Sequence, residues 1–237
     1  MSGSVALVGA GPGDPGLITV RGLSLLRSCD ALVYDRLVAR ELVDEAPSGA
    51  LRVSREPLAQ DEINALLVRL ARRGLAVVRL KGGDPFLFGR GGEEALHLAA
   101  HGVDVEVVPG VSALAAVPAA AAIPVTHRGV SSQVTAVTGH GPLDLAALAA
   151  TPGTLVVFMG LGRLDEIARG LVAHGRDADT PAAVIAHGTL PGQRVVRAPL
   201  GRLAAAAAGV EPPALVVVGE VASLADRLGG SRRAVAA

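Results

Sequence analysis

The sequence has very few aromatic residues and a single cysteine. Of its 237 residues, three are phenylalanine, one is tyrosine and none is tryptophan, although half of the chain is hydrophobic. The core must therefore be built from valine, leucine and alanine. One cysteine, Cys29, excludes an internal disulfide framework and is typical of a reducing compartment, so we expect a cytoplasmic protein.

The chain also lacks net charge, because 22 basic residues are balanced by 22 acidic residues. Nucleic acids and anionic membranes select a basic face, so this balance argues against both as main partners. The most apolar stretch, residues 113–125, is broken by two prolines and is too short to span a membrane. Lysine occurs once, as Lys81. The abundant arginine suits carboxylate or phosphate recognition, although a GC-rich genome explains most of this bias.

Short apolar runs alternate with helix-like runs along the whole chain, which predicts an α/β protein with buried sheets. We expect a mainly parallel sheet in the first half and a mixed sheet in the second. Residues 183–186 and 194–197 are too close for a parallel crossover, so an antiparallel hairpin is predicted there. A helix can start at Ser112, with Pro118 limiting it. The predicted organisation is an N-terminal α/β domain (1–112), a C-terminal α/β domain (113–228) and a flexible tail (229–237).

Residues 79–92 form the most unusual stretch, RLKGGDPFLFGRGG. It follows an apolar strand-like run and precedes a helix-like run at 93–101. Two glycine pairs, a proline, two phenylalanines and three cations fall within it. This composition predicts a loop in which a ligand approaches bare backbone.

A second glycine-rich loop, residues 9–16, follows the first predicted strand. Gly11, Gly13 and Gly16 match the dinucleotide pattern, and an acid follows about twenty residues later. Pro12 and Pro15, however, remove two N–H groups that a pyrophosphate would need. A rigid ligand loop is favoured here over a dinucleotide site.

Asp35 ends the second predicted strand. An acid at this position can cap a helix or begin a turn. It can also be a base that faces a ligand crevice, because the carboxyl ends of strands line such crevices in open α/β sheets.

Two histidine-containing segments leave alternatives open. His97 and His101 have a metal-ligand spacing, but no third ligand accompanies them, so no metal site is expected. Thr126-His127-Arg128 and residues 138–141 place polar and cationic groups between apolar runs. These segments are either a solvated loop or a site for an anionic ligand.

Together these motifs resemble the tetrapyrrole methylases in order and spacing, over nearly the whole chain up to about residue 228. Within that family, residues 79–86, Thr126-His127-Arg128 and residues 138–140 are similar to the enzymes that methylate uroporphyrinogen III on carbon. The resemblance implies two α/β domains with a cleft between them, S-adenosylmethionine bound in that cleft, and a homodimer. It also implies that the cofactor site is not a dinucleotide fold, which agrees with the prolines of the first loop.

Site residues are carried over from the family motif by motif. Asp35 matches the position of the proton acceptor. The implied contacts with S-adenosylmethionine, and with its product S-adenosylhomocysteine, are Pro12, Gly82, Gly83, Asp84, Leu87, Ser112, Ala113, Met159 and Gly188. The residues expected to hold the carboxylates of the substrate are Arg36, Lys81, Arg90, Thr126, His127 and Arg128.

One segment departs from the family pattern. Arg55 stands where the family carries the lysine assigned as proton donor, and the loop over residues 53–61 is several residues shorter. Arginine remains protonated, so it is a poor acid. Either the donor role is not needed in this chain, or the segment only binds substrate carboxylates.

The resemblance implies two successive methylations of uroporphyrinogen III, at C2 and C7, which give precorrin-2 by way of precorrin-1 for sirohaem or cobalamin synthesis. Four alternatives remain from the sequence. They are a later precorrin methylase, diphthine synthase, an NAD-dependent dehydrogenase and a non-catalytic tetrapyrrole carrier. The Thr-His-Arg and Thr-Gly-His motifs argue against the first two, and the prolines of the first loop argue against the dehydrogenase.

Overall fold

The computed structural model describes residues 3–56 and 58–229. They divide into two compact units, of which the first ends at Ser112 and the second begins at Ala113. Of the predicted flexible tail, residues 230–237 lie outside the described residues. None of the helices described is long and apolar enough to cross a membrane.

The first unit is built on a five-stranded sheet in which every pair of neighbouring strands is parallel. The order of its strands is β3-β2-β4-β1-β5. Its strands are β1 (Ser4–Gly9), β2 (Ala31–Tyr34), β3 (Leu51–Ser54), β4 (Ala76–Lys81) and β5 (Asp104–Val108), and its helices are α1 (Val20–Leu26), α2 (Arg40–Asp44), α3 (Gln60–Arg72) and α4 (Gly91–Ala100).

The helices of this unit cover both faces of the sheet. Leu26 of α1 and Leu42 of α2 pack on one face. Ile63 of α3 and Leu98 of α4 pack on the other. The neighbouring strands β1 and β4 therefore send the chain to opposite faces, and in open α/β sheets the ligand crevice forms at the carboxyl ends of such a pair.

Local sequence explains where these helices begin and end. The Thr19 hydroxyl accepts a hydrogen bond from the Gly22 N–H and caps α1. Glu62 accepts from the Ala59 N–H at the start of α3, and Gly74, with φ of 83°, follows its end. The helix-like sequence patterns over residues 19–27 and 61–73 match α1 and α3 to within one residue at each end.

The second unit is built on a mixed five-stranded sheet of order β6-β7-β10-β8-β9. Only β6 and β7 pair in parallel, and the other neighbours are antiparallel. Its strands are β6 (Val134–Thr138), β7 (Thr154–Phe158), β8 (Pro181–Ala186), β9 (Arg194–Pro199) and β10 (Ala214–Val218), and its helices are α5 (Ala113–Ala120), α6 (Leu145–Ala150), α7 (Leu164–Ala173) and α8 (Leu200–Ala206).

The structure confirms the predicted α/β class, with one parallel sheet and one mixed sheet. It also confirms the predicted hairpin, since β8 and β9 pair antiparallel from Pro181–Pro199 to Ala186–Arg194.

The expected effect of Pro118 is wrong, because α5 runs through it to Ala120. The proline ring is buried, and the Ala121 N–H still bonds to the Val117 carbonyl at 3.3 Å. The chain therefore completes a further turn beyond the proline.

Candidate active site

The carboxyl edge of the first sheet collects most of the predicted site residues of that unit. Because the strands are parallel, the loops that follow them start at the same edge. Asp35 follows β2 directly, Arg55 follows β3, and Gly82 follows β4. Pro12 lies three residues after β1, and Ser112 lies four residues after β5. Leu87 is partly buried in the loop that follows Asp84, and Ala113 opens α5 in the second unit.

Backbone atoms of three loops meet at this edge with no room for side chains. The Gly83 N–H donates to the Gly11 carbonyl at 2.7 Å, and the Gly11 N–H donates to the Gly83 carbonyl at 3.3 Å. A Cβ atom on Gly110 would lie 2.2 Å from the Gly83 oxygen and 2.7 Å from the Gly9 Cα. We call Gly9, Gly11, Gly83 and Gly110 the glycine junction. It explains why both glycine-rich loops need glycine at these positions.

Asp84 connects the glycine junction to the turn that follows β4. Its Oδ2 accepts a hydrogen bond from the Gly110 N–H at 3.0 Å, and its Oδ1 accepts from the Phe86 N–H at 2.9 Å. The carboxylate therefore holds the loops after β4 and β5 together. Contact between Asp84 and the cofactor stays a prediction.

A cluster of charged side chains lies buried beneath α3 and α4. Arg79 and Lys81 point from β4 to the same face of the sheet, and both are almost fully buried together with Glu94 of α4. Glu94 Oε1 accepts from Arg79 Nε at 3.2 Å, Lys81 Nζ at 3.0 Å and Gln60 Nε2 at 3.1 Å. Among the described residues, Glu94 Oε2 has no hydrogen-bond partner. We call Asp35, Arg79, Lys81 and Glu94 the buried charge cluster.

Asp35 is the member of this cluster that reaches solvent, with 21% of its side chain exposed. Its Oδ1 accepts from Arg79 Nη2 at 2.5 Å. It does not cap a helix, because α2 begins at Arg40 and Ala39 precedes it. It does begin a turn, since its carbonyl accepts from the Val38 N–H. The Asp35 carboxylate thus lies at the carboxyl edge of the sheet, and the buried Arg79 guanidinium holds it there.

Lys81 is predicted to bind substrate, but its ammonium group is directed at Glu94. Burial, followed by repulsion from the Arg79 guanidinium, lowers the pKa of Lys81 below its ordinary value, while Glu94 and Asp35 partly oppose this shift. Its exposed fraction is only 2%. This burial weighs against direct contact with a substrate, and the assignment remains an untested prediction.

We expect the stability of the protein to depend on the titration of Lys81. A folded-state pKa below the unfolded value means that the unfolded chain binds the proton more tightly between the two values, so stability rises with pH in that window. The difference in unfolding free energy between wild type and Lys81→Met should therefore rise by at most about 1.4 kcal/mol per pH unit. Urea denaturation of both proteins between about pH 7 and 10 measures it. A difference that falls as the pH rises would contradict this account.

Two predicted substrate-binding arginines are on the surface. Arg36 pairs with Glu56 at 3.1 Å, and Arg90 pairs with Glu93 at 2.7 Å. Exposed ion pairs of this kind contribute little to stability. Either arginine can therefore exchange its partner for a substrate carboxylate at low cost.

In the second unit, the carboxyl ends of β6, β7 and β8 share one edge of the sheet. Met159 follows β7, and Gly188 lies two residues after β8. Met159, His187 and Thr189 have positive φ angles of 53°, 49° and 72°. Non-glycine residues with such backbone strain cluster at functional sites. This edge is the candidate cofactor region of the second unit.

The two polar segments, residues 126–128 and 138–141, lie at opposite ends of β6. His127 pairs with Ser131, whose hydroxyl lies 2.9 Å from the hydroxyl of Thr154, the first residue of β7. The Thr126–Arg128 turn is therefore attached at the amino ends of β6 and β7, whereas residues 138–141 follow the carboxyl end of β6. Five residues of extended strand separate them by roughly 15 Å. Thr126, His127 and Arg128 are exposed, and their contact with substrate stays a prediction.

Arg163, which sequence reasoning missed, holds the loop over residues 139–141. Its Nη1 donates to the carbonyls of Gly139 at 2.8 Å and Gly141 at 2.5 Å. Glu166 accepts from its Nε and Nη2 and fixes the guanidinium. A Cβ atom on Gly139 would lie 2.5 Å from the Gly160 Cα. Arg163 thus controls a loop that lies against the Met159–Gly160 backbone.

Replacing Arg163 with alanine should loosen this loop. We expect a loss of about 1 kcal/mol in its local stability, or about a fivefold faster amide hydrogen exchange at residues 139–141. Arg169→Ala is the matched control, because Arg169 lies on the adjacent helix α7 and pairs with the exposed Asp165. Equal exchange in the two variants would show that Arg163 does not hold the loop.

The pair of histidines on α4 is a stacked pair. The rings of His97 and His101 lie 4.4 Å apart, and His101 Nδ1 is 2.8 Å from the His97 carbonyl oxygen. Within residues 3–56 and 58–229, no group of three or more metal-ligating side chains is placed to hold an ion.

Glu94 is the second site residue that sequence reasoning missed. The available signal was the spacing of Arg79 and Lys81, two cations at i and i+2 on a strand expected to be buried. Buried cations need a buried anion, and a glutamate early in the next helix can supply it.

The sequence and the fold both match proteins of known chemistry. Residues 4–204 match the family described as Tetrapyrrole (Corrin/Porphyrin) Methylases. A crystal structure of uroporphyrin III C-methyl transferase from Thermus thermophilus is 45% identical with a TM-score of 0.84, and the match covers 94% of each chain. A structure of that enzyme complexed with S-adenyl homocysteine matches with the same identity and TM-score, over 94% of this chain and all of that one. A cobalt precorrin-4 methyltransferase is 30% identical with a TM-score of 0.86, covering 92% of this chain and 95% of that one.

Curated relatives are longer than this chain. A siroheme synthase of Stutzerimonas stutzeri (strain A1501) is 49% identical in an alignment 239 residues long, which covers 95% of this chain and 51% of that protein. The siroheme synthase of Azotobacter vinelandii (strain DJ / ATCC BAA-1303) is also 49% identical, over 95% of this chain and 52% of that protein. The chain thus spans about half the length of the curated relatives it matches. From the family match and these identities, the chain belongs to the tetrapyrrole methylase family.

Proposed function

We propose that the chain transfers methyl groups from S-adenosylmethionine to C2 and C7 of uroporphyrinogen III, giving precorrin-2 by way of precorrin-1. The product would enter sirohaem or cobalamin synthesis in the cytoplasm. The observation that carries the proposal is the 45% identity, over 94% of each chain, to the uroporphyrin III C-methyl transferase of Thermus thermophilus.

The first unit has a surface that fits part of the cofactor. Gly82 and Gly83 are partly exposed, and a Cβ atom on Gly82 would meet only the Leu37 Cβ, at 3.8 Å. Bare backbone is thus open to a ligand next to the acidic Asp84. In this unit the proposed contacts are Pro12, Gly82, Gly83, Asp84, Leu87 and Ser112.

The second unit offers a partly exposed methionine and a buried glycine at the same edge of its sheet. Met159 is 44% exposed, whereas Gly188 is buried against Val117. The proposed contacts in this unit are Ala113, Met159 and Gly188. When bound, S-adenosylmethionine supplies an electrophilic methyl group on its sulfonium.

The residues of the chain would act on the tetrapyrrole by orientation and by proton acceptance. The β-carbons of the pyrrole rings are electron-rich, so the enzyme needs chiefly to hold the reacting atoms in line. Arg36, Arg90 and Arg128 are exposed cations that can bind acetate and propionate groups bidentately. Asp35 is our candidate to accept the proton that a pyrrole N–H loses, because its carboxylate reaches solvent at the crevice edge.

Arg55 would bind substrate rather than donate a proton. Its backbone N–H donates to the Tyr34 carbonyl at 2.8 Å, which places it beside the residue that precedes Asp35. Arginine is a poor general acid, and its planar set of donors matches a carboxylate. A carboxylate of the substrate is therefore its natural partner.

Methyl transfer is tested directly with purified protein, uroporphyrinogen III and labelled S-adenosylmethionine. We expect two labelled methyl groups per tetrapyrrole and a product with the absorption of precorrin-2. Asp35→Asn should slow the transfer by about 10²–10⁴-fold. If the wild-type chain binds uroporphyrinogen III but transfers no methyl group, a non-catalytic tetrapyrrole carrier replaces this proposal.

A later precorrin methylase is the second candidate. It is supported by the TM-score of 0.86 to cobalt precorrin-4 methyltransferase, although the identity is only 30%. The two TM-scores describe one shared fold, so the higher identity favours uroporphyrinogen III as the substrate. A panel of uroporphyrinogen III and later precorrins, compared by kcat/KM, separates the two candidates.

We propose further that the chain acts as a homodimer. This rests on the family resemblance. Light scattering of the purified chain should give twice the monomer mass, and a monomer at micromolar concentration would contradict it.

A further inference from the structure

The two carboxylate oxygens of Glu94 differ in the number of hydrogen bonds that they accept. Oε1 accepts from Arg79 Nε, from Lys81 Nζ and from Gln60 Nε2. Arg79 Nη2 also lies 3.2 Å from it. Over the described part of the chain, Oε2 accepts nothing. The cationic partners thus orient the carboxylate through one oxygen, although the other oxygen is left without a described donor.

The side chain of Arg79 connects Glu94 to Asp35. Arg79 extends from β4 and is fully buried. Its Nε and Nη2 face Glu94 of α4, and its Nη2 also donates to Asp35 Oδ1 at 2.5 Å. Its Nη1 donates to the Leu80 carbonyl at 3.2 Å. The guanidinium is held on these sides, so its position fixes where the Asp35 carboxylate lies.

Stability alone does not account for this arrangement. A buried ion pair is often replaced by apolar residues of similar volume without loss of stability. The cluster also leaves Glu94 Oε2 buried without a partner among the described residues, a cost that apolar side chains in its place would not have. What an apolar replacement cannot do is orient a carboxylate at the edge of a crevice.

We propose that Glu94 is a positioning residue for the proton acceptor Asp35 and acts through Arg79. The role rests on the proposed methyl transfer. The Glu94 side chain is fully buried, so it is not exposed to a substrate or cofactor. It fixes Arg79 from one side, so that the hydrogen bond from Arg79 holds the Asp35 carboxylate in the orientation that proton transfer needs.

A double-mutant cycle between Glu94 and Asp35 tests this role. Glu94→Asp keeps the charge but withdraws the carboxylate by one methylene, so Arg79 must shift to follow it. A displacement of about 1 Å in a catalytic group costs up to about 10²-fold in rate. We expect Glu94→Asp to lower kcat by about tenfold with the KM for S-adenosylmethionine unchanged. In the Asp35→Asn background the same change should lower kcat by less than about twofold, because residues that act as a unit are non-additive.

The kcat of each variant is expressed per S-adenosylhomocysteine site counted by calorimetry, so that a loss of folded protein does not imitate a loss of rate. The charge-balanced double variant Glu94→Gln/Lys81→Met gives a second measurement, because it removes one charge of each sign. We expect it to show the same loss of kcat per site. Glu41→Gln, on the exposed surface of α2, is the control and should retain the wild-type kcat.

Four outcomes overturn the positioning role. They are an unchanged kcat per site in Glu94→Asp, an equal loss in both backgrounds, a kcat in Glu94→Gln/Lys81→Met equal to that of wild type, and an Asp35→Asn variant as active as wild type. A wild-type chain that transfers no methyl group overturns the proposed function itself and the positioning role with it. An active wild type with an additive cycle overturns only the role of Glu94.

Discussion

Replacing Glu94 with glutamine is expected to lower the free energy of unfolding by about 3–5 kcal/mol. Glutamine has almost the same shape, so no cavity forms and the loss is electrostatic. Arg79 and Lys81 stay buried after the change, but the carboxylate that compensates both of them is gone. Urea denaturation followed by circular dichroism measures the difference.

Glu93→Gln is the matched control for this substitution. Glu93 precedes Glu94 on α4, yet its carboxylate is exposed and pairs with Arg90 on the surface. Its replacement should change stability by less than about 0.5 kcal/mol. Glu94→Gln/Lys81→Met should recover much of the stability, because it restores the balance of buried charge. A Glu94→Gln protein as stable as the control would mean that water reaches the buried charge cluster.

Replacing Gly110 with alanine is expected to cost about 3 kcal/mol or more and to weaken cofactor binding. The new methyl group would lie 2.2 Å from the Gly83 carbonyl oxygen. Backbone atoms cannot rotate away as a side chain can, so the loops after β4 and β5 must separate. The hydrogen bond from the Gly110 N–H to Asp84 Oδ2 would be lost in the same movement.

Gly92→Ala adds the same methyl group but is expected to stabilise the protein. Gly92 lies in α4, and apart from its chain neighbours and the backbone of its own helix no described atom is within 4 Å of its added Cβ. Alanine favours the helix, so we expect stability to rise by about 0.5–1 kcal/mol. Thermal unfolding and calorimetry with S-adenosylhomocysteine compare the two variants. If Gly110→Ala binds as tightly as Gly92→Ala, the glycine junction does not shape the cofactor region.

The layout of the fold could be predicted from sequence because its signals are local. The continuous apolar runs of β1 and β4 indicate strands buried on both faces, and they are buried. The hairpin between β8 and β9 follows from the short connection across residues 188–192. The helices α2, α6 and α8 were not predicted, because five to seven residues are too few for a helical period to be recognised.

The site was predictable only where a backbone motif marks it. The glycine loops after β1 and β4 are conspicuous in the sequence, but their mutual contact through Gly11 and Gly83 depends on strand order. Strand order also decides that Arg79 reaches Asp35, 44 residues earlier in the chain. No periodicity encodes such a pairing. The converse case is Thr126–Arg128. This segment and residues 138–141 are close in sequence but lie at opposite ends of β6.

The strand order of the first unit has a consequence for synthesis on the ribosome. β1 is flanked by β4 and β5, and β4 separates it from β2. The first strand therefore has no native neighbour until residues 76–81 have been made. At about 5–20 residues per second, this delay lasts roughly 4–15 s. During that time Val5, Leu7 and Val8, which are fully buried in the finished protein, form an unpaired apolar segment that a chaperone for short apolar peptides can bind.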